Sequence, residues 1–233
     1  MPENERIKTT PVRVAFRKTG SLSFISHLDL LRTVSRLLVR ADIGVYYTEG
    51  FNPHPKLAFA LPLSVGTESV SELFDIKVMG EEADYGMILR NLRREAPPEL
   101  EITDAYAPVR KFRDIAFAEY DIVLHHRGIP DDAESIIDGM MADPIVELKR
   151  TKSGERECDI RPFIASLECG RNGDDLSIKT RLSADSEHYL NPEYIVKAVK
   201  RSLGLEEDDI APGGDWYTIL RTGIFDNNGD AFR

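Results

Sequence analysis

The chain has 233 residues, enough for one large domain or for two of about 110 residues that each bury a core. Apolar residues make up 42% and charged residues 30%, the composition of a soluble globular protein, and no stretch approaches the roughly 20 apolar residues of a membrane helix. The formal charge of -10 disfavours a uniformly nucleic-acid-binding surface, but residues 1–60 hold nine Lys/Arg against five Asp/Glu, whereas 61–233 hold 21 against 35. A net of +4 followed by a net of -14 suggests a cationic face on an acidic body. The opening MPENERIKTTP is polar with mixed charge, unlike a signal peptide, and two cysteines are too few for a disulfide scaffold. A cytoplasmic location and no membrane association are therefore expected.

Residues 1–11 read as a flexible polar leader ended by Pro11. Val12–Phe16 alternates apolar and basic residues as a half-buried strand does, and Lys18–Ser21 supplies a turn. Ser26 is a good helix N-cap with Asp29 three residues on, and Leu28, Leu31, Val34, Leu38 and Ala41 recur at helical spacing until Gly44 stops the run. Val45–Thr48 reads as a short strand and 50–55 as a loop. Lys56–Pro62 and Val70–Met79 read as strands joined by a turn at Gly66. A helix over 82–95 precedes Pro97-Pro98, and Leu100–Ala107 returns as a strand. Strand, helix, two strands, helix, strand is the order of a split βαβ, or ferredoxin-like, unit.

The second half repeats that order without any residue-level repeat. Ala118–His126 has apolar residues at period two, Asp132–Met141 is helical, and Ile145–Thr151, Asp159–Leu167 and Leu176–Leu182 are expected strands. Lys152–Gly154 and Asn172-Gly173 supply turns. Asn191-Pro192 opens a helix that Gly204 closes, and Trp216–Phe225 is the last strand. The expected fold is α+β: two ferredoxin-like halves, 12–110 and 117–233, each an antiparallel sheet with helices on one face. A polar linker near 108–117 (Arg110, Lys111, Arg113, Asp114) joins them.

The segment Glu49–Lys56 (EGFNPHPK) is the richest in chemistry. Pro53 and Pro55 bracket His54, fix φ on both sides and bias Asn52 and His54 toward extended geometry. Such a loop can present Asn52, His54 and Lys56 to a ligand, with Phe51, Tyr46 and Tyr47 as stacking candidates; a rigid turn into a strand is the simpler alternative. His27 follows Ser26 at the positive end of a helix dipole, which favours its neutral imidazole, so His27 and His54 are the two candidate general bases. Arg32, Arg36 and Arg40 form one i, i+4, i+8 stripe suited to phosphates; a solvated face with local pairs, such as Asp29 with Arg32 or Arg36, is the common alternative. There is no CxxxCxxC for an iron–sulfur cluster, and no Walker A, GxGxxG, HExxH or GxSxG motif. His125 and His126 point to opposite sides of a strand, Cys158 and Cys169 read as buried thiols, and no spacing supports a metal or cofactor site.

Phe16-Arg17-Lys18-Thr19-Gly20, Phe24–Asp29, and the run from Gly50–Lys56 through Pro62-Leu63, Gly66, Ser69, Glu72 and Asp75 resemble the radical-SAM-linked proteins, a bacterial domain family of unknown function. The likeness is specific over 12–78 and diffuse beyond, with Arg221-Thr222-Gly223 resembling a short C-terminal motif. Members are typically encoded beside, or fused behind, a cobalamin-binding radical SAM protein. The resemblance therefore implies a partner that holds the cluster, and it supplies no catalytic residues. Arg17, Lys18, Asp29 and Arg221, which lie in the matching segments, join His27, Arg32, Arg36, Arg40, Phe51, Asn52, His54 and Lys56 as candidate binding residues.

Three functions follow as expectations. The first is an accessory module, not itself catalytic, that binds RNA (tRNA or rRNA) and presents it to the radical SAM protein. The second is a metal-independent endoribonuclease similar to the CRISPR repeat-processing enzymes, with His27 or His54 as base and Lys56 or an arginine as phosphate stabiliser. Gly213-Gly214, in acidic company, is a poor match for the glycine-rich loop of those enzymes. The third is a protein-docking subunit of the radical SAM enzyme.

Overall fold

The computed structural model describes residues 7–151, 154–205 and 216–233. The chain divides into two compact units, the first running to Phe112 and the second from Arg113 to Phe232. Lys152-Ser153 and Gly213-Gly214 lie outside the described residues.

In the first unit β1 (Thr9–Lys18), α1 (His27–Arg40), β2 (Leu57–Phe59), β3 (Thr67–Met79), α2 (Tyr85–Glu95) and β4 (Leu100–Tyr106) follow in that order. β1 pairs antiparallel with both β3 and β4, and β2 pairs antiparallel with β3, so the strands run β4-β1-β3-β2, the ferredoxin-like arrangement. Val12, Val14 and Phe16 of β1 share one face with Phe74, Ile76 and Val78 of β3. Against that face pack Leu30, Val34, Leu37 and Leu38 of α1 and Ile88 and Leu92 of α2, which places both helices on one side of the sheet.

The helical seam differs from the expected one. Leu28 is 54% exposed, and the buried line starts at Leu30 and runs through Val34, Leu37, Leu38 and Ala41. The helix is rich enough in leucine to offer two overlapping stripes, and the one beginning at Leu30 packs on the sheet. It also ends earlier than Gly44. Asp42 takes φ 51 and its N–H bonds Val39 O at 3.1 Å, so the short polar side chain that tolerates left-handed backbone makes the stop. Val45–Thr48 contributes isolated bridges, Val45 to Val78 and Tyr47 to Pro55, in place of a strand.

Part of the segment read as a polar linker, Arg110 and Phe112, is tied to the first unit. Arg13 projects from the sheet face opposite the helices and is fully buried. It grips Asp75 on β3 through Nε at 2.7 Å and Nη2 at 2.8 Å, and Nη2 also donates to Arg110 O at 2.9 Å. Its guanidinium lies 4.3 Å from the centre of the Phe112 ring. A sequence pattern that reads Val12–Phe16 as half-exposed cannot show this, because the covering chain comes from nearly 100 residues away.

In the second unit β5 (Ile115–His125), α3 (Ala133–Met140), β8 (Ile164–Asn172), β9 (Asp175–Ser183), α4 (Glu193–Ser202) and β10 (Trp216–Asp226) repeat the order, with strands arranged β10-β5-β9-β8, all antiparallel. Between α3 and β8 stands a separate hairpin of β6 (Val146–Thr151) and β7 (Gly154–Asp159). The expected strand over Asp159–Leu167 is therefore two strands divided by a 3-10 turn at Arg161–Phe163. Pro162 has no N–H for a ladder, and Asp159 Oδ1 takes the Ile145 and Arg161 N–H groups, each at 3.0 Å, which closes the corner. β7 eluded periodicity because Glu155-Arg156-Glu157 is charged throughout. α4 ends at Gly204 with φ +66, the left-handed residue of a C-terminal helix cap.

Tyr217 of β10 donates to Glu193 Oε2 of α4 at 2.7 Å. Burial and then this bond push the Tyr217 phenol from 10.0 up to about 12. A raised folded-state value means the contribution to stability is complete below pH 10 and is lost as pH rises toward 12. In an ultraviolet titration, Glu193→Gln should bring this late tyrosine to lower pH; an unchanged titration would show that the bond does not hold it. Among the described residues no helix is long and apolar enough to cross a membrane.

Candidate functional site

The start of α1 is organised around Ser26. Its Oγ accepts the Asp29 N–H at 3.1 Å and donates to Asp29 Oδ2 at 2.7 Å, and Arg32 Nη1 donates to Asp29 Oδ1 at 3.0 Å. The hydroxyl bond and the Arg32 guanidinium hold the Asp29 carboxyl below its ordinary range. His27, the first helical residue, is exposed and sets its ring edge on Phe59 of β2, with centroids 5.3 Å apart at 73°. Phe59 in turn meets Phe16 and Phe74 at 6.1 and 5.8 Å, so the core fixes the place of His27.

The loop from Tyr46 to Lys56 closes on itself. Tyr46 N–H donates to Lys77 O at 2.7 Å and Lys56 N–H to Tyr46 O at 2.9 Å, which anchors both ends beside β3. Inside the loop Thr48 N–H donates to His54 O at 2.9 Å, and His54 N–H returns to Thr48 Oγ1 at 3.2 Å. His54 Nδ1 lies 3.1 Å from Thr48 Oγ1 and 3.2 Å from Asn52 O. These contacts hold the ring in place and leave its Nε2 edge facing away from the loop backbone. Phe51 stands wholly in solvent at the turn, and Asn52, His54 and Lys56 are also exposed. Phe51 thus offers an open aromatic face on a braced loop.

Arg32, Arg36 and Arg40 are exposed on α1. They are not equivalent: Arg32 is engaged by Asp29, and Arg40 Nη2 donates to Glu95 O at 3.2 Å. Arg36 and Arg40, with Ser35 and Val39, form one wall of an open groove of about 460 Å³ whose other wall is Tyr47 and Pro55 of the loop. Val39 is 63% exposed and Tyr47 39%, so the floor is apolar while the helix rim is cationic. The α1 stripe and the loop, read separately in the sequence, thus form one surface. Sequence reasoning missed Val39 and Pro55 as lining residues, although an apolar residue between Arg36 and Arg40 and off the buried seam was the available signal.

Three candidate residues do other work. Lys18 is buried, its Nζ donating to Ser23 O at 3.1 Å and Thr67 O at 3.4 Å, and so sews the turn after β1 to β3. Arg17 is half-exposed and pairs with Glu101 on β4 at 3.2 Å. Arg221 is fully buried, with Nε and Nη2 each 3.2 Å from the Tyr120 hydroxyl. Two residues on, Gly223 lies under the Phe225 ring, where a Cβ would stand 2.6 Å from Cε2, so the Arg221-Thr222-Gly223 segment is built for packing. Both cysteines are half-buried. Burial, then Glu134 and Asp138, push the Cys169 thiol up to about 11, which suppresses its thiolate. Among the described residues no three His, Cys, Asp or Glu side chains group to hold a metal ion.

A family model described as an uncharacterized protein conserved in bacteria (DUF2344) matches residues 12–192, well over half of the chain. The chain belongs to this family. The match includes α1, the Tyr46–Lys56 loop and the groove between them, and it stops before β10. No curated protein matches the chain. Among solved structures, one chain of a Cbf5-Nop10-Gar1 complex is similar at 13% identity and TM-score 0.48, over 91% of this chain and 48% of that one. An unknown protein from Galdieria sulphuraria is similar at 10% identity and TM-score 0.26, over 92% of this chain and 99% of that one.

Proposed function

We propose that this family member is an accessory module that binds single-stranded RNA on the α1–loop surface and presents it to a cobalamin-binding radical SAM protein. The observation that carries the proposal is the pairing of a cationic rim, Arg36 and Arg40, with an apolar floor ending in Tyr47, beside a loop that holds Phe51 fully in solvent. Phosphates favour guanidinium rims, and unpaired bases stack on aromatic faces that a duplex cannot reach. His54 and Lys56 supply an imidazole and a cation on the same loop. In this role the chain performs no chemistry itself, and His27 and His54 position the strand.

Titration of a fluorescent single-stranded oligoribonucleotide over several salt concentrations tests this directly. Arg36→Glu/Arg40→Glu should weaken binding at least tenfold and flatten the salt slope by about 1.4 for two lost phosphate contacts on a single strand. Equal affinity in parent and variant overturns the reading. It would leave the apolar groove to a protein partner. RNA shortened by the parent and spared by His54→Ala would instead assign the endoribonuclease activity.

A further inference from the structure

The second unit, acidic as a whole, carries one surface of opposite character. On the β6–β7 hairpin Lys149 and Arg156 are direct cross-strand partners, so two cations project from the same face. Like charges directly opposite each other destabilise a ladder unless an anion joins them. Lys149 Nζ lies 5.0 Å from the centre of the Phe163 ring and 5.7 Å from that of Tyr194 on α4. Phe163 stacks on His188 with centroids 5.7 Å apart at 24°, and Lys197 Nζ lies 5.9 Å from the Tyr194 ring. Arg156, Lys197 and His188 are exposed, and Lys149, Phe163 and Tyr194 are half-buried.

One carboxylate, Asp185, lies inside the patch beside His188, and others on these elements are engaged elsewhere. Glu147 is taken by Arg201, Asp185 by His188 and two backbone N–H groups, and Glu193 by the Tyr217 hydroxyl. Glu155 and Glu157 alternate with Arg156 along β7 and therefore point to the other face of the hairpin. What remains is the stacked Phe163–His188 pair and the Tyr194 ring, with Lys149 and Lys197 beside them.

We infer that the surface of Lys149, Arg156, Phe163, His188, Tyr194 and Lys197 is a second contact site for single-stranded RNA, independent of α1. Bases stack on the rings and phosphates bridge the cations. The inference rests on the RNA reading for its ligand class but uses none of the same residues. Flexible acidic peptides offer the charge without planar faces, so the rings favour nucleotides over them.

Two full-chain variants separate the claims: Lys149→Glu/Lys197→Glu in the second unit and Arg36→Glu/Arg40→Glu in the first. Each is titrated with the same labelled oligoribonucleotide, alone and against polyglutamate. Far-UV circular dichroism establishes that each variant is folded, and Tyr194→Leu removes a ring without touching charge. The second-unit charge variant is expected to lose about tenfold in affinity and Tyr194→Leu about fivefold, on the order of one lost stacked base. Undiminished affinity in both second-unit variants, or displacement by polyglutamate as effective as by unlabelled RNA, overturns the inference. Loss with the second-unit variants alone would sustain it while moving the proposed site away from α1. Loss with the α1 variant alone would do the reverse.

Discussion

Replacing Arg13 with alanine is expected to lower the stability of the first unit by about 3 kcal/mol, the low end for breaking a buried ion pair. The discount reflects Asp75, whose side chain keeps 28% exposure and so recovers some hydration when its partner is lost. Three attachments go together: the two-pronged grip on Asp75, the bond to Arg110 O and the ring contact with Phe112. Removing them frees the 107–112 segment from the sheet. Urea unfolding followed by circular dichroism should show the lower midpoint, and protease should gain access near Arg110. Arg13→Leu/Asp75→Leu should recover much of the loss, since apolar replacement of both partners leaves no unpaired charge. A loss below about 1 kcal/mol in Arg13→Ala would mean that water already serves Asp75.

Phe16→Ala should cost about 3–5 kcal/mol, the range for truncating a buried phenylalanine to a cavity. Phe16 is 1% exposed and meets Phe74 at 5.6 Å and Phe59 at 6.1 Å. The consequence reaches the surface because His27 rests its ring edge on Phe59. In Phe16→Leu, which costs less and keeps the fold, the ring-current shift that Phe59 imposes on the His27 C–H protons should change in NMR spectra. His27 signals identical to the parent would show that the helix start is set by the Ser26 cap alone.

The sequence pattern resolved what depends on short range. Both ferredoxin-like orders were legible because β1, β3, β5 and β9 alternate and because Ser26 and Gly204 mark helix ends by local chemistry. The joining of the α1 stripe to the Tyr46–Lys56 loop was not legible, since bonds to β3 from distant sequence, Tyr46 N–H to Lys77 O and Met79 N–H to Gly44 O, seat the loop beside α1. Charge type was equally misleading without burial. Lys18, Arg221 and Arg36 look alike in a sequence, yet the first two are interior hydrogen-bond donors and the third lines a groove. Of the inserted hairpin, β6 was legible from Val146 and Leu148, whereas β7 escaped periodicity because Glu155, Arg156 and Glu157 charge both its faces.

Amide hydrogen exchange of the full chain, with and without a saturating single-stranded oligoribonucleotide, tests the central claim most directly, because it locates contact without altering a residue. Protection over 46–56 and 32–40 is the expected result. Exchange unchanged in both segments, under conditions where the oligonucleotide is bound, would contradict RNA binding at the α1–loop surface.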